Sequence, residues 1–550
     1  MKGRGGSGGA GGRGRRSAGG AAGPKRRRAD RAGIHIFPND PDASVGLVPA
    51  TPLDPAGGEP PFVIEGQRYA PAAYDPGTPA FQFWQGEIAL ARTIRVWENL
   101  FDRDFAAWHG GRALKVRLRA GKDLNAFYDR KSLQFFYDVD RVTGRTVYAV
   151  ESLDIVAHEA GHAILDVYQP GYWASIDLET ASFHEAFGDC SALVATLTDP
   201  AVRRGLLVET GGAIGRSNLV SRVAEALGRA IHNNFGPGAI SDPTRLRDAN
   251  NEFRYSPPEL LRPGGDDTAL TPEPHSFSRV FTGAFYDTLA WLLGRAFRDD
   301  PTEAAVERSA RLAGRLLARA VETLPPGEAR FREVALRMRE IDQREEGGVA
   351  TIGIEESFAR HGIRLPALEG RTREGSRGGR QAGKGGRVQR GRGRNRSAAP
   401  SVYRALRSLD PDRPGGAAAL RAALGVPRGA RLKRRTLPAR VGGQVREQFV
   451  YEESVVVRNA RLGRWSGVVV RVQCGCTLTR DPSGDVEGAS LAPLRHASAT
   501  ELARKLRCWI RLDAIHDARR GAARPVRQLF RDRKPFRVGR AGVLERIYFD

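Results

Sequence analysis

Cysteine is scarce in this chain: four residues in 550, at positions 190, 474, 476 and 508. That number cannot build the disulfide framework of a small secreted scaffold. Cys190 lies in an apolar stretch of helical pattern and reads as a buried thiol. Cys474-Gly475-Cys476 with Cys508 has metal-ligand chemistry, but no histidine stands nearby at finger-like spacing, so a strand with incidental thiols is the favoured reading. Long apolar runs are also missing, which excludes a membrane-spanning helix. The first residues lack the apolar core of a secretory signal, so the expected product is cytoplasmic, provided the start is correctly assigned. No repeat of fixed period is present, and residues 401–550 carry no known nucleic-acid-binding motif.

What the chain has in excess is positive charge: 87 Lys+Arg against 63 Asp+Glu, a formal net charge of +24. The excess is unevenly placed. Residues 1–32 carry a net +9, residues 33–368 a net −10, residues 369–396 a net +8 and residues 397–550 a net +17. The middle is therefore mildly acidic, and the basic excess belongs to the flanks. Residues 1–32 are Gly, Ala, Ser and Arg of low complexity, which cannot bury a core and are expected to be disordered. Residues 33–80, rich in Pro and Asp, read as an irregular arm. Residues 369–400 read as a disordered basic linker, and 401–550 as a separate small basic α+β unit.

Between them, residues 81–368 have the length and patterning of one domain. Apolar spacing predicts a helix over 86–101, strands over 114–118 and 132–137, and helices over 153–165, 178–197, 219–231, 276–297, 303–324, 327–345 and 352–361. Strands precede the 153–165 helix and helices follow it. That segregation predicts an α+β fold of two lobes, a reduced β-containing N-terminal lobe and a helical C-terminal lobe, with a cleft between them. In 401–550, strands are predicted over 449–457 and 465–472, with a hairpin between them, and a helix over 501–510.

The chemistry concentrates in His158-Glu159-Ala160-Gly161-His162. Two histidines four apart lie one turn apart on the same helix face, so both imidazoles can point at one ion. Glu159 is then placed to act as a base on a water. Apolar neighbours on both sides mark the helix as buried, where these polar side chains need partners. Ser152 or Asp154 is the expected cap of this helix. One zinc-hydrolase class requires a glycine three residues and a histidine six residues after the second ligand; Leu165 and Tyr168 stand there, which excludes it. For the third ligand, Asp166 is better suited to a local pair, and Glu179 and Glu185 lie on the next helix. Glu185 is favoured because Asp189 follows at i+4, where it can orient a ligating histidine. His184 reads as a surface or packing residue.

Four motifs in order, Asn125-Ala-Phe-Tyr128, Ser152 to Ile164, His184-Glu-Ala-Phe-Gly-Asp189 and Pro274-His-Ser-Phe-Ser278, resemble the thermolysin-like neutral zinc metallopeptidases, the gluzincin group. The resemblance covers roughly 80–366. It implies a zinc endopeptidase with one Zn2+ per chain held by His158, His162 and Glu185. Glu159 would be the general base, His275 would stabilise the oxyanion, and Asp189 would orient a ligating histidine. Asn125 and Ala126 would bind substrate backbone as an added strand. Arg247 matches an arginine that grips a substrate carbonyl; the place of a catalytic-site tyrosine falls to Tyr172, to Tyr168 or to neither. The chain departs from the family in several places. The step from His162 to Glu185 is slightly long. Thr196 stands where a calcium carboxylate is expected although Asp154 is present, so Ca2+ is doubtful. The secretion signal, the propeptide and much of the β-lobe are absent, and 33–80 could replace part of that lobe. The partner implied is a peptide or protein substrate, with no membrane. The alternative is a silent peptidase-fold scaffold that binds nucleic acid or an acidic partner through its basic tails and 401–550.

Overall fold

The computed structural model describes residues 33–52, 60–105, 107–265, 267–299, 302–367, 411–412, 414–437, 444–492, 498–521 and 524–549. The basic tail and the linker of the sequence reading lie outside the described residues. The fold is mixed, with short sheets and long helices. In the arm, β1 (His35–Ile36) pairs with β2 (Val48–Pro49). From the same arm, β3 (Phe62–Ile64) joins a four-stranded sheet with β4 (Leu114–Arg117), β5 (Ala126–Tyr128) and β6 (Ser132–Phe135). The spatial order is β3-β4-β6-β5, so β5 is the edge of these four strands. β4 alternates buried Leu114 and Val116 with exposed Lys115 and Arg117, as a half-buried strand must. Between β3 and β4 runs α1 (Pro79–Phe101). It starts at Pro79 because Thr78 caps it, its hydroxyl accepting from the Phe81 N–H at 3.2 Å. The predicted start at 86 missed this cap. The hairpin of β7 (Tyr137–Val139) and β8 (Thr146–Tyr148) leads to the central helices.

Those are α2 (Leu153–Tyr168) and α3 (Leu178–Thr196), buried along almost their whole lengths. Ser152 is the N-cap residue of α2, but its side chain makes no capping bond; its hydroxyl bonds Asp40 and Asp154 instead. Asp177 does cap α3, accepting from the Thr180 N–H at 3.2 Å. Around this pair lie α4 (Pro200–Thr210), α5 (Glu225–Phe235), α6 (Pro274–Asp299), α7 (Glu303–Thr323), α8 (Phe331–Glu345) and α9 (Thr351–Arg360). The helix predicted from 219 begins only at Glu225. Before it, β9 (Arg222–Val223) pairs with β10 (Arg247–Asp248), and Ala224 takes a left-handed φ of 55°.

The C-terminal part holds α10 (Gly416–Ala423) and an antiparallel sheet of β11 (Lys433–Leu437), β12 (Val445–Val457), β13 (Val468–Arg480) and β14 (Val486–Leu491). It continues through α11 (Ala499–Arg511), β15 (Ile515–Asp517), α12 (Val526–Arg531), β16 (Phe536–Val538) and β17 (Leu544–Arg546). The sequence predicts a separate unit here; in the structure its described residues pack against the middle part. Val457, Trp465, Val468, Trp509 and Phe536 share one continuous hydrophobic cluster with α2 and α3. Buried polar groups also cross the seam. Trp509 donates to the Ile176 carbonyl at 2.9 Å, and Thr477 to that of Leu324 at 2.8 Å. Arg103 of the middle part pairs with Glu322 and donates to the Leu437 carbonyl at 2.6 Å. The physical reason is complementarity. The acidic middle faces part of the basic C-terminal excess, as where Lys505 approaches Asp177 at 3.2 Å and also pairs with Glu328. Composition records the two net charges but not that they meet. Cys474 and Cys476 pack with Leu420, Leu424 and Phe449, and all four cysteines are buried and free. No described helix is long and apolar enough to cross a membrane.

Candidate metal centre

α2 and α3 cross where neither has a side chain. A Cβ on Gly161 would stand 2.6 Å from Ser191 Oγ, and one on Gly188 would stand 2.7 Å from His158 Cε1 and Nδ1. Two helical glycines thus let the backbones approach closely, and the approach sets Glu185 against the two histidines. One ligand atom each from His158, His162 and Glu185 lies within 4.8 Å of the others. Among the described residues this is the sole group of three or more His, Cys, Asp or Glu side chains so placed. Asp166 and Glu179 are outside it. Asp166 accepts from the Tyr128 hydroxyl at 3.0 Å and pairs with Arg130. Glu179 accepts from the Tyr255 hydroxyl at 3.0 Å and the Phe331 N–H at 2.7 Å.

The outer nitrogens of both histidines are fixed by what they touch. His158 Nδ1 lies 3.1 Å from Asp189 Oδ1. A carboxylate only accepts, so Nδ1 carries the proton and Nε2 is left with its lone pair for an ion. His162 Nδ1 lies 3.0 Å from His184 Nδ1. His184 is therefore no surface residue: it is fully buried, and burial first, then His162, holds it neutral. It can accept the His162 proton and free His162 Nε2 in the same way. His158 Nε2 and His162 Nε2 are buried without a hydrogen-bond partner among the described residues, and Glu185 Oε2 faces them at 3.4 and 3.5 Å. Two imidazole lone pairs and a buried carboxylate oxygen turned toward one another are costly unless a cation sits between them. The donor set, two imidazole nitrogens and one carboxylate oxygen, suits a divalent transition metal.

Burial opposes the charge on Glu185, yet His275, His162 and His158 outweigh it and hold its carboxyl well below the usual range. Asp189 is drawn down to about 2, its burial overcome by Arg247 and His158. Arg247 Nη2 lies 2.9 Å from Asp189 Oδ1 and 3.5 Å from His158 Nδ1. So β10 brings Arg247 to the carboxylate that orients His158. Thr282 adds a hydroxyl at 3.2 Å from Asp189 Oδ2. His275, at the start of α6, lies with Nε2 3.1 Å from Glu185 Oε2 and Nδ1 2.9 Å from Glu273 Oε1. Burial disfavours its charge, but Glu185 and Glu273 raise its pKa well above the ordinary histidine value.

The tyrosines do not come to the cluster by any described contact. The Tyr172 hydroxyl donates to the Pro325 carbonyl at 3.1 Å, and Tyr168 stacks on Phe101 at 3.7 Å between ring centres. Asn125 and Ala126 lie at and just before the start of edge strand β5, the Ala126 N–H donating to Asn125 Oδ1 at 2.9 Å. Asp154 sits beside Asp40 and Ser152, its Oδ2 accepting from the Ala224 N–H at 2.7 Å. Sequence reasoning missed His184, Glu273, Thr282 and Phe549, whose ring stacks on His184. Glu273-Pro274-His275 held a local signal for the second of these. Phe549 had none, because its contact spans most of the chain.

No family model matches the chain, and no curated protein does. Among solved structures the chain is similar to the precursor of protealysin, a metalloproteinase from Serratia proteamaculans. The identity is 15%, over 55% of this chain and 86% of that one, with a TM-score of 0.33.

Proposed function

We propose that this chain is a zinc-dependent endopeptidase of the thermolysin-like kind. The observation that carries the reading is the convergence of the buried atoms of His158, His162 and Glu185 within 4.8 Å of one another, with Glu159 next to the first ligand on the same helix. These three residues would hold the ion. When bound, zinc acts as a Lewis acid on the peptide carbonyl and acidifies a water. The remaining work falls to the chain's own groups. Glu159 takes the proton of the attacking water and passes it to the leaving amine. His275, kept positively charged by Glu185 and Glu273, is set to stabilise the developing oxyanion. Asp189 and His184 hold the two imidazoles in the ligating tautomer. Arg247, bound to Asp189, acts here as a positioning residue, in place of the direct carbonyl grip inferred from the resemblance.

The test is Glu159→Gln in the full chain. Purified protein should carry close to one equivalent of zinc by elemental analysis. The variant should keep that zinc while peptide cleavage falls by about 10²–10⁴-fold, the range of general-base contributions. Full activity in the variant, or a chain that takes up no metal, sinks the assignment.

A further inference from the structure

We infer that Phe549, bridged to the outer edge of β5, acts as a competitor in cis for the extended peptide that this edge is proposed to receive. The consequence for catalysis rests on the peptidase reading; the occupancy is geometry. One side of β5 pairs with β6. On the other side the Tyr128 N–H donates to the Phe549 carbonyl at 2.8 Å and the Phe549 N–H donates to the Tyr128 carbonyl at 2.9 Å. This is a one-residue antiparallel bridge on the sheet edge, the contact with which an added strand begins. The pleat sends successive side chains to opposite faces. Tyr548 goes to one face, against Phe127 and Phe530. Phe549 goes to the other, the face of the metal cluster.

There the Phe549 ring lies 3.9 Å and 14° from the His184 ring, and 5.4 Å and 20° from that of His162. Trp173 meets it edge-on at 5.4 Å, and the Arg546 guanidinium sits 4.1 Å from its centroid. The flat walls of His184 and Trp173 select a flat side chain through stacking, while Arg546 comes from the same segment as Phe549. The ring therefore covers the histidine pair that orients one metal ligand. Continued past Phe549, the antiparallel ladder runs back along β5 toward Ala126 and Asn125, the backbone expected to receive substrate. A peptide strand and Phe549 cannot both pair with Tyr128. A tethered competitor raises the apparent KM and leaves kcat unaltered, because it acts on the free site alone.

The experiment uses the full chain, its Phe549→Gly variant, and a second variant ending at Ile547. Both variants should lower KM for a peptide substrate by about tenfold or more with kcat within about twofold, as loss of a tethered competitor requires. A labelled peptide with the sequence Leu-Glu-Arg-Ile-Tyr-Phe is then titrated by fluorescence anisotropy, with metal present and with metal removed. It should bind Phe549→Gly, bind about tenfold more weakly when its last residue is Ala, and fail to bind the unaltered chain. Unchanged KM in both variants, with no peptide binding to either, overturns the inference. If none of the chains cleaves peptide, the peptidase reading falls, while the anisotropy titrations still decide whether the edge is a peptide site filled in cis.

Discussion

The metal cluster and the β5 edge lie side by side and are built in opposite ways. The cluster is made by two consecutive helices. Its ligands lie within 27 residues of one another in the chain, from His158 to Glu185, and two glycines set the approach of their helices. Its two inward imidazole nitrogens are left without a hydrogen-bond partner among the described residues. The edge is closed by residue 549, brought back across more than 400 positions to Tyr128, so that the backbone groups of Tyr128 are already paired. One region is prepared for a ligand from outside; the other holds a piece of its own chain. Substitutions that act on one region and not the other test the contrast.

The largest effect at the cluster is expected from Gly188→Ala. The backbone there is helical, so alanine brings no conformational strain of its own. Its Cβ, however, would stand 2.7 Å from His158 Cε1 and Nδ1, and the ring must move off Asp189 or the helices must part. Overpacking of this kind costs about 1–3 kcal/mol. Displacing a ligand together with its orienting carboxylate should lower metal affinity by roughly 100-fold, the upper range for loss of such a partner. Urea unfolding and metal content after dialysis measure the two losses. Retention of full metal occupancy would break the claim that the glycine crossing fixes the cluster, while peptide affinity for the β5 edge, measured with Phe549→Gly also present, should be nearly unaltered.

The same contrast explains what could be read from the sequence. His158, His162, Glu185 and Asp189 were legible because helix periodicity turns spacing into direction, and because buried polar residues announce that they need partners. His275 and Arg247 come from distant segments, and each was reached through resemblance alone, His275 by a five-residue motif and Arg247 by a loosely aligned loop. His184 was misjudged because a histidine next to a ligand has no periodic cue that separates exposure from a buried bond to His162. The helix boundaries at Pro79 and Glu225 moved with a cap and a two-residue strand pair, features too short for a periodic pattern. The packing of the described C-terminal residues on the middle part was not legible at all. Net charge is a sum over residues, whereas Lys505 against Asp177 or Arg103 against Glu322 depends on which of them meet.

An intermediate effect is expected from His184→Ala, which touches both regions. It removes the acceptor for His162 Nδ1 and the face on which Phe549 stacks. Metal affinity should fall by about 10-fold to 100-fold, as for other partners of ligating histidines. His184→Asn, whose amide oxygen can accept at the place of Nδ1, should recover much of that affinity without restoring the stacked ring. Competition with a chromophoric chelator gives the affinities. Equal losses in the two variants would show that His184 serves packing and not the tautomer of His162.

The smallest effect at the cluster belongs to Glu179, a buried carboxylate six residues before Glu185 on the same helix but outside the ligand set. Burial pushes its carboxyl up to about 7, against an ordinary value of 4.5, although Arg330 and its hydrogen bonds pull the other way. The folded state therefore binds the proton more tightly than the unfolded chain between those two values. The sign follows: the protonated carboxyl favours the fold below about pH 4.5, and that advantage is lost as pH rises through about 7. In metal-free protein, stability should drop between pH 5 and pH 8 by on the order of 1–3 kcal/mol more in the unaltered chain than in Glu179→Gln, which has no proton to lose. Urea unfolding at the two pH values measures that difference. Metal affinity of Glu179→Gln should match the unaltered chain, since the Glu179 oxygens are committed to Tyr255 and Phe331. Loss of metal in this variant would place the third ligand at 179 instead of 185 and undo the geometry on which the comparison of the two regions stands.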